Sequence, residues 1–399
     1  MKLINRFGPW LTLTFSHYKM IFFKSIRKIG LLSILMFFIV VDLSAQLAGY
    51  GYKKQITIDA TEVMGGSPLS NFPVMVRFMG ATADPDLQTS INGGHVENAN
   101  GYDIIFTSDE SGTVTLDHQI EYFDGTAGEY VAWVRIPSLS HLTDTDFYMW
   151  YGNCAVSADP STTNVWNANY DAVYFLHDDF LDATSNNRDG TNSGSLDTSP
   201  ALIGDGQNFG VNDYVQIPTS SISLGQGTMS IWGYTSSFTG TEQYLFGHTS
   251  IPNGFVNRIQ LYTDDGVGGL DLGFGNNHAL EEGIVTLNTD EWFHIALTWN
   301  GTTCSVYVNG VLEHTETYNG FNTLETYLDI GNDGRASGGR NEGWDGDLDH
   351  ARLSDQVFSA VWIETEYNNQ VESSTFLSVS SEFPSQTYYS FASGAWDDN

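Results

Sequence analysis

Residues Trp292 to Thr315 read WFHIALTWNGTTCSVYVNGVLEHT, and their pattern is the clearest indication of the fold in the chain. From His294 to Trp299, large apolar residues alternate with small or polar ones, which is the period-two pattern of a half-buried β-strand. Asn300-Gly301 and Asn309-Gly310 interrupt the alternation, and both residue types tolerate the positive φ angles of a type I′ turn. The stretch therefore predicts a three-stranded antiparallel meander whose register is fixed by its two turns.

The composition is that of an acidic all-β protein. The chain of 399 residues contains 41 Gly and is 14% aromatic, which suits many short strands joined by turns. It carries 15 Lys and Arg against 48 Asp and Glu, a net charge of −33. Such a surface repels nucleic acid and anionic membranes, so neither is expected as a partner. The acidity favours solubility outside the cell, and it can also supply oxygen ligands for Ca²⁺.

The N-terminal residues 1–45 predict export. Met20 is the expected true start, and Lys24, Arg27 and Lys28 form a basic region before an apolar run at 31–41. That run is too short to span a bilayer, and Ala45 offers a small residue for cleavage. We therefore expect a secretory signal peptide, a mature chain without a membrane span, and an extracellular or cell-surface location.

A first module is expected over residues 48–165. Six short alternating runs are separated by clusters of Gly, Asp, Asn and Ser, which is typical of a β-sandwich. The predicted strands cover residues 53–58, 71–78, 102–106, 116–122, 130–136 and 147–151.

The first module resembles a known bacterial family. The segments YKKQITI, NFPVMV, GYDIIFTSD, YVAWVRIPSL and the closing FYMWYGN at 147–153 are similar to the domain of unknown function 2341. The resemblance implies an extracellular module that is commonly followed by a laminin-G-like domain. It implies no known activity.

A second module is expected over residues 166–380. The motifs DYVQIP at 213–218, TWNG at 298–301, YVNG at 307–310 and GDLDHARLS at 346–354 resemble laminin-G-like domains of the concanavalin A-like lectin-glucanase superfamily. The resemblance implies a jelly roll. The fold class is thus all-β, with two β-sandwich modules and one short helix near the C-terminus that Ser359 caps.

Three details complete the organisation of the chain. Trp166 at the module boundary is expected to pack the modules together, the alternative being a sugar-stacking platform. Glu364 and Glu366 are expected on the solvated face of the helix. Residues 383–399 are expected to be a linker and the start of a further, truncated unit, so the chain is expected to be part of a longer protein.

Calcium is the first ligand that the pattern suggests. The resemblance places Asp182, Asn187 and Asp349 where laminin-G-like domains often bind Ca²⁺ at one edge of the sandwich. The alternation of Asp345, Asp347 and Asp349 puts three carboxylates on one strand face, which favours a cation. Ordinary turn chemistry explains the same residues equally well, because Asp and Asn populate loops for backbone reasons.

Carbohydrate is the second suggested ligand, since aromatic rings stack on sugar faces. Tyr234, Tyr262 and Trp344 are the candidates, and Trp344 is expected to be exposed because it lies in a Gly-rich loop. The chain lacks the E-x-D-x-x-E or E-x-D-x-E pattern by which glucanases of this superfamily supply two catalytic carboxylates.

The sequence therefore predicts a non-catalytic, extracellular binding module, with a glycan or another extracellular matrix or surface ligand as its partner. A structural spacer or protein-binding adhesin module is the alternative. An accessory part of a glycoside hydrolase is a minor alternative.

Overall fold

The computed structural model describes residues 47–166, 168–177, 179–250, 256–276, 280–334, 340–371 and 375–384. Ala45, Met20 and the rest of the predicted signal peptide lie outside these residues, as do residues 385–399. The described residues all belong to one compact unit. No helix in the described part of the chain is long and apolar enough to cross a membrane.

The first module contains six strands close to the predicted positions. They are β1 (Tyr52–Ile58), β2 (Leu69–Phe78), β3 (Ile105–Thr107), β4 (His118–Asp124), β5 (Glu129–Leu139) and β6 (Thr145–Tyr151). One sheet has the order β2-β5-β4, and the other contains β1-β6-β3. Phe72, Val74 and Val76 of the first sheet share a core with Ile56 and Phe147 of the second, which confirms the predicted sandwich.

The second module contains fourteen described strands. They are β7 (Ala172–Tyr174), β8 (Thr191–Ser193), β9 (Leu196–Thr198), β10 (Gly206–Phe209), β11 (Tyr214–Pro218), β12 (Gly227–Tyr234), β13 (Gln243–His248), β14 (Arg258–Thr263), β15 (Leu270–Gly275), β16 (Phe293–Trp299), β17 (Thr303–Val308), β18 (Val311–Thr317), β19 (Tyr327–Ile330) and β20 (Gly346–Ser354).

These strands form two sheets that share one apolar core. The larger has the order β18-β17-β16-β12-β20-β10-β9, with β7 paired to β20. The smaller has the order β15-β14-β13-β19-β11-β8. Ile231, Ile295 and Leu353 of the larger sheet pack with Ile259 and Leu328 of the smaller one. The all-β architecture predicted from the sequence is therefore confirmed.

The predicted meander is present as β16-β17-β18, but one of its turns differs from the prediction. Asn309 and Gly310 have φ angles of 50° and 80°, as a type I′ turn requires. At the first turn only Gly301 has a positive φ, because the Asn300 side chain accepts hydrogen bonds from the backbone N–H groups of Thr302 and Thr303. An Asn side-chain turn thus replaces the predicted type I′ turn there.

Strand β16 is buried on both faces, so the prediction of a half-buried strand is wrong. Ile295 and Leu297 face the core between the two sheets. Ala296 on the opposite face joins Trp232 and Tyr307 in the core that contains the first module. A single strand pattern could not show that a second module would cover the outer face.

The predicted helix is α1 (Ala360–Gln370), and the Ser359 hydroxyl accepts a hydrogen bond from the N–H of Trp362 as expected of an N-cap. Glu366 is only 3% exposed, so its predicted place on a solvated face is wrong. Its carboxylate lies 2.7 Å from the Arg352 guanidinium, so it forms an ion pair with a residue of strand β20.

The last described residues return to the first module. Strands β21 (Leu377–Val379) and β22 (Phe383–Pro384) both pair with β1. The Asn369 side chain on α1 forms hydrogen bonds with the backbone N–H and C=O of Met75 on β2. The C-terminal end of the expected second module, and β22 beyond it, therefore contact the first module. The predicted boundary between residues 165 and 166 stays a prediction.

Candidate functional site

The predicted calcium ligand Asp182 acts instead as the organiser of its own loop. One carboxylate oxygen accepts hydrogen bonds from the N–H groups of Val173 and Thr184, at 3.1 and 2.9 Å. The other accepts from the Thr184 hydroxyl and from the N–H of Arg188, at 2.9 and 3.0 Å. Asn187 lies in the same loop in a left-handed conformation, and its amide donates to Ser185. A cation would have to displace these donors from Asp182.

Asp347 and Asp349 do not join that loop. The Asp347 carboxylate accepts a hydrogen bond from Asn208. Asp349 is fully buried, and its two oxygens contact the N–H of Ile203 and the ring of His350, at 2.9 and 2.5 Å. None of the three aspartates belongs to a described group of converging His, Cys, Asp or Glu ligand atoms. The four predicted residues therefore do not fit a calcium ion as they stand, and calcium binding stays a prediction.

The predicted sugar-stacking residues are largely enclosed. Trp344 is 0% exposed, so the expectation that it is exposed is wrong. Its indole donates to the backbone oxygen of Tyr234 at 3.1 Å, and its ring contacts Phe293 in the core. Tyr262 is 4% exposed and stacks on Tyr244 at a centroid distance of 4.5 Å. Tyr234 is half-buried.

A buried polar cluster links the two modules, and two β-bulges position it. The register between β4 and β5 shifts at Glu121, which is the extra residue. Between β12 and β20 the register shifts so that Ile231 faces two residues, His350 and Ala351, and His350 has a φ of 49°. Bulges redirect side chains, and here each turns a charged side chain toward the other module. The Glu121 carboxylate lies 3.0 Å from His350 and 3.1 Å from His177.

The electrostatics of this cluster favour its charged form. Burial alone raises the pKa of the Glu121 carboxyl, but the charges and hydrogen bonds of His350 and His177 outweigh burial and lower that pKa. Burial opposes the charged form of His350, yet Glu121 and Asp349 raise the pKa of its ring to about 9. The cluster thus contains paired charges at neutral pH. Because these charges are buried inside the protein, each of them must keep its partner.

A second pairing lies beside the cluster. The Arg352 guanidinium carbon lies 4.2 Å from the ring centroid of Trp133 and 5.3 Å from that of Trp166. Trp133 and Trp166 are both fully buried, which confirms that Trp166 packs the modules rather than forming an exposed platform. Arg352 is 1% exposed and pairs with Glu366. Cation–π contacts of this kind are strongest when water is excluded.

A cleft with a volume of about 780 Å³ lies at the same junction. It runs between β2, the 199–201 segment, the end of α1 and β21. Met75, Phe78 and Leu377 give it apolar walls, while polar and aromatic groups come from Arg77, Thr82, Tyr122, Glu129 and Ser199. Tyr122 follows Glu121 in the chain, so the buried cluster and the cleft share one strand.

The residues of this junction were not predicted from the sequence, because no local sequence pattern marks them. Glu121 and His350 are 229 positions apart, and β-bulges leave no fixed signature in a strand pattern. In the motif GDLDHARLS at 346–354, the resemblance to laminin-G-like domains implies an acid at the position of His350, and this departure is the one signal in the sequence.

The comparison with solved structures gives three examples of similar chains. Domain 4 of AbnA, a GH43 extracellular arabinanase from Geobacillus stearothermophilus, is 19% identical over 50% of this chain and 97% of that chain, with a TM-score of 0.41. The binding domain of Paraclostridial Mosquitocidal Protein 1 is 17% identical over 50% of this chain and 52% of that chain, with a TM-score of 0.41. A Trypanosoma rangeli sialidase is 13% identical over 63% of this chain and 44% of that chain, with a TM-score of 0.42. At these TM-scores the likeness carries no inference about function.

Two family models match successive segments of the chain, while no curated protein is similar to it in sequence. Residues 100–192 match the domain of unknown function 2341, and this segment includes Glu121 and His177. Residues 209–364 match the concanavalin A-like lectin/glucanases superfamily, and this segment includes His350. The predicted resemblances and their order are confirmed. The chain therefore has a segment that matches the domain of unknown function 2341, followed by a segment that matches the concanavalin A-like lectin/glucanases superfamily.

Proposed function

We propose that the protein is a non-catalytic, extracellular binding protein that holds a glycan in the cleft at the junction of its two modules. The observation that carries this proposal is the cleft itself, with its volume of about 780 Å³ and mixed walls. Ligand sites in proteins are commonly clefts of roughly 300–1,000 Å³ at domain interfaces, mostly apolar with a few polar groups. The cleft meets each of these criteria.

The chemistry of the walls suits a sugar. A pyranose offers an apolar face for an aromatic ring and hydroxyl groups for polar partners, and the cleft supplies both kinds of contact. Tyr122 is a half-buried aromatic residue in the lining, and Thr82 and Ser199 are exposed hydroxyl residues there. The concanavalin A-like fold adds support of a weaker kind, because a fold alone does not fix a function.

The same lining supports a role without catalysis. Glycoside hydrolysis by the usual mechanisms needs two carboxyl groups on either side of the scissile bond, roughly 5–10 Å apart. Among the described residues that line the cleft, Glu129 is the acidic one, and its carboxylate accepts a hydrogen bond from the N–H of Gly80. A binding site is therefore a better fit than an active site.

A glycan array with the purified protein tests the proposal. We expect binding to at least one glycan class, and we expect Tyr122→Ala to weaken it about tenfold, which corresponds to about 1.4 kcal/mol for one lost stacking contact. Tyr327→Ala is the matched control, because Tyr327 is 48% exposed and lies outside the cleft. Equal losses in the two variants would place the site elsewhere. Running the array with Ca²⁺ and then with EDTA tests the calcium prediction.

Export is part of the proposal, and its support is the predicted signal peptide at residues 20–45. Mass spectrometry of the protein secreted by its host is the test. A mature N-terminus at Gln46, directly after Ala45, is the expected result. An intact N-terminus on a protein retained in the cell would contradict it.

One observation favours the alternative of a spacer or protein-binding adhesin module. The junction of the two modules is fixed by buried ion pairs and by fully buried tryptophans, as a rigid structural element would need. A blank glycan array from protein with a cooperative melting transition would favour this alternative over glycan binding.

A further inference from the structure

We propose that Glu281, His314 and Glu316 bind a divalent transition-metal ion, Zn²⁺, at one open edge of the second sandwich. One ligand atom from each of the three side chains lies within 4.8 Å of the other two. Ligands of a tetrahedral Zn²⁺ ion at about 2.1 Å lie roughly 3.4 Å apart, so small side-chain rotations bring the three atoms to that spacing. This site is separate from the junction cleft.

Strand pairing explains how two of the ligands come to face inward. On the β17–β18 ladder, Cys304 lies opposite Glu316 and Val306 lies opposite His314. Cys304 and Val306 are buried in the core between the sheets. Directly paired residues point to the same face of a sheet, so His314 and Glu316 also face the inner side. Strand β18 forms the edge of its sheet, and at these inner positions it carries ligand-type residues where apolar ones would be usual.

The third ligand comes from the opposite sheet. Glu281 pairs with Leu272 of β15 through two backbone hydrogen bonds of 2.9 and 3.0 Å. Strand β15 forms the edge of the smaller sheet. The three side chains therefore bridge the edges of both sheets. A bound metal ion would connect these edges and close the sandwich on this side.

The donor set selects the kind of ion. Two carboxylates and an imidazole suit Zn²⁺, whereas Ca²⁺ prefers oxygen ligands alone. The Nε2 atom of His314 is buried and has no hydrogen-bond partner among the described residues, as expected of a nitrogen whose lone pair serves a metal. The buried Cys304 thiol donates a hydrogen bond to the Glu316 carboxylate at 3.7 Å, so a further ligand-type atom lies beside the group.

A structural role for the three residues and a second group of similar spacing are the two alternatives to this site. Inward-pointing charges on an edge strand can simply prevent edge-to-edge pairing, but that role does not need a third acid from the other sheet. A second group, Asp86, His95 and Glu382, has similar spacing, but the protein supplies its partners. Lys54 lies 2.7 Å from Asp86, and Glu382 contacts both His95 and Tyr151. Lys54 and Tyr151 thus already contact carboxylates of that group.

The test is Zn²⁺ binding to the purified, chelator-treated protein, measured by calorimetry. We expect one tightly bound equivalent and a rise in melting temperature on its addition. His314→Gln and Glu281→Gln should each weaken binding by at least about 100-fold, the upper end of what the loss of an outer-sphere partner costs. Glu313→Gln should not, since Glu313 lies on the same strand but is exposed.

Cobalt gives an independent readout. Co²⁺ added in place of Zn²⁺ should produce the visible absorption of a tetrahedral site, and His314→Gln should abolish it. Absence of tight Zn²⁺ binding, or binding that survives both His314→Gln and Glu281→Gln, would overturn the proposal. If His314→Gln does not fold, Glu281→Gln decides the question. Glycan binding by the same variants should be unchanged, so this proposal can fail without the proposed function failing.

Discussion

Replacing Glu121 by glutamine removes the negative charge at the centre of the buried junction while keeping the size of the side chain. Glu121 and His350 have side chains that are 0% exposed, and His177 is 14% exposed. The substitution leaves the His350 ring with Asp349 as its acidic partner. It also leaves the Trp133 indole with an amide in place of a carboxylate.

The expected cost follows from the burial of the pair. Removing one partner of a buried ion pair typically destabilises a protein by about 3–5 kcal/mol, because the remaining charge stays buried with less compensation. Here the His350 charge would keep only Asp349 as its acidic partner. For a unit of the size of residues 44–399, the entropy of unfolding is about 0.7 kcal/mol per degree. Glu121→Gln should therefore lower the melting temperature by roughly 4–7 °C.

Differential scanning calorimetry at neutral pH measures this shift. Glu325→Gln is the control, because Glu325 is exposed and the same charge is removed there. It should change the melting temperature by about 1 °C or less, as surface substitutions usually do. A Glu121→Gln shift as small as that of the control would refute the view that these charges hold the modules together.

Two further predictions concern the same junction. The pKa of His350 is about 9 in the folded protein against an ordinary value of 6.5. The charge of His350 therefore contributes its full stability below about pH 6.5. This stability is lost as the pH rises through about 9. The stability difference between the wild type and His350→Gln, measured by chemical denaturation, should therefore shrink by about 3 kcal/mol between about pH 6 and about pH 10, and a constant difference would contradict this. Arg352→Met should cost about 3–5 kcal/mol because it leaves Glu366 buried and unpaired. Adding Glu366→Gln should recover part of that loss, whereas strictly additive losses would show that the two side chains do not interact.

The local features of the fold could be predicted from the sequence because short-range chemistry determines them. The turn at Asn309-Gly310 could be predicted because both residues accept a positive φ. The start of α1 could be predicted because the Ser359 hydroxyl caps its first turn. The six strands of the first module followed from alternation and turn residues. Two family resemblances, each carried by several motifs, set the order of the modules.

The errors arose where one part of the chain covers another. Trp344 lies in a Gly-rich loop, but it is buried because the Tyr234 backbone and Phe293 enclose it. Glu366 belongs to a short helix with a polar pattern, yet Arg352 from a distant strand is its partner. Strand β16 reads as half-buried, but the first module covers its outer face. Periodicity reports which residues share a face and does not report what lies against it.

Ala81→Trp tests whether the junction cleft holds the ligand. Ala81 is exposed and lines the cleft, so an indole there fills the site without removing any contact made by a native side chain. Ala155→Trp adds the same group at an exposed position outside the lining. Glycan affinity measured for both variants should be lost in Ala81→Trp and retained in Ala155→Trp. Undiminished binding by a folded Ala81→Trp protein would contradict the account.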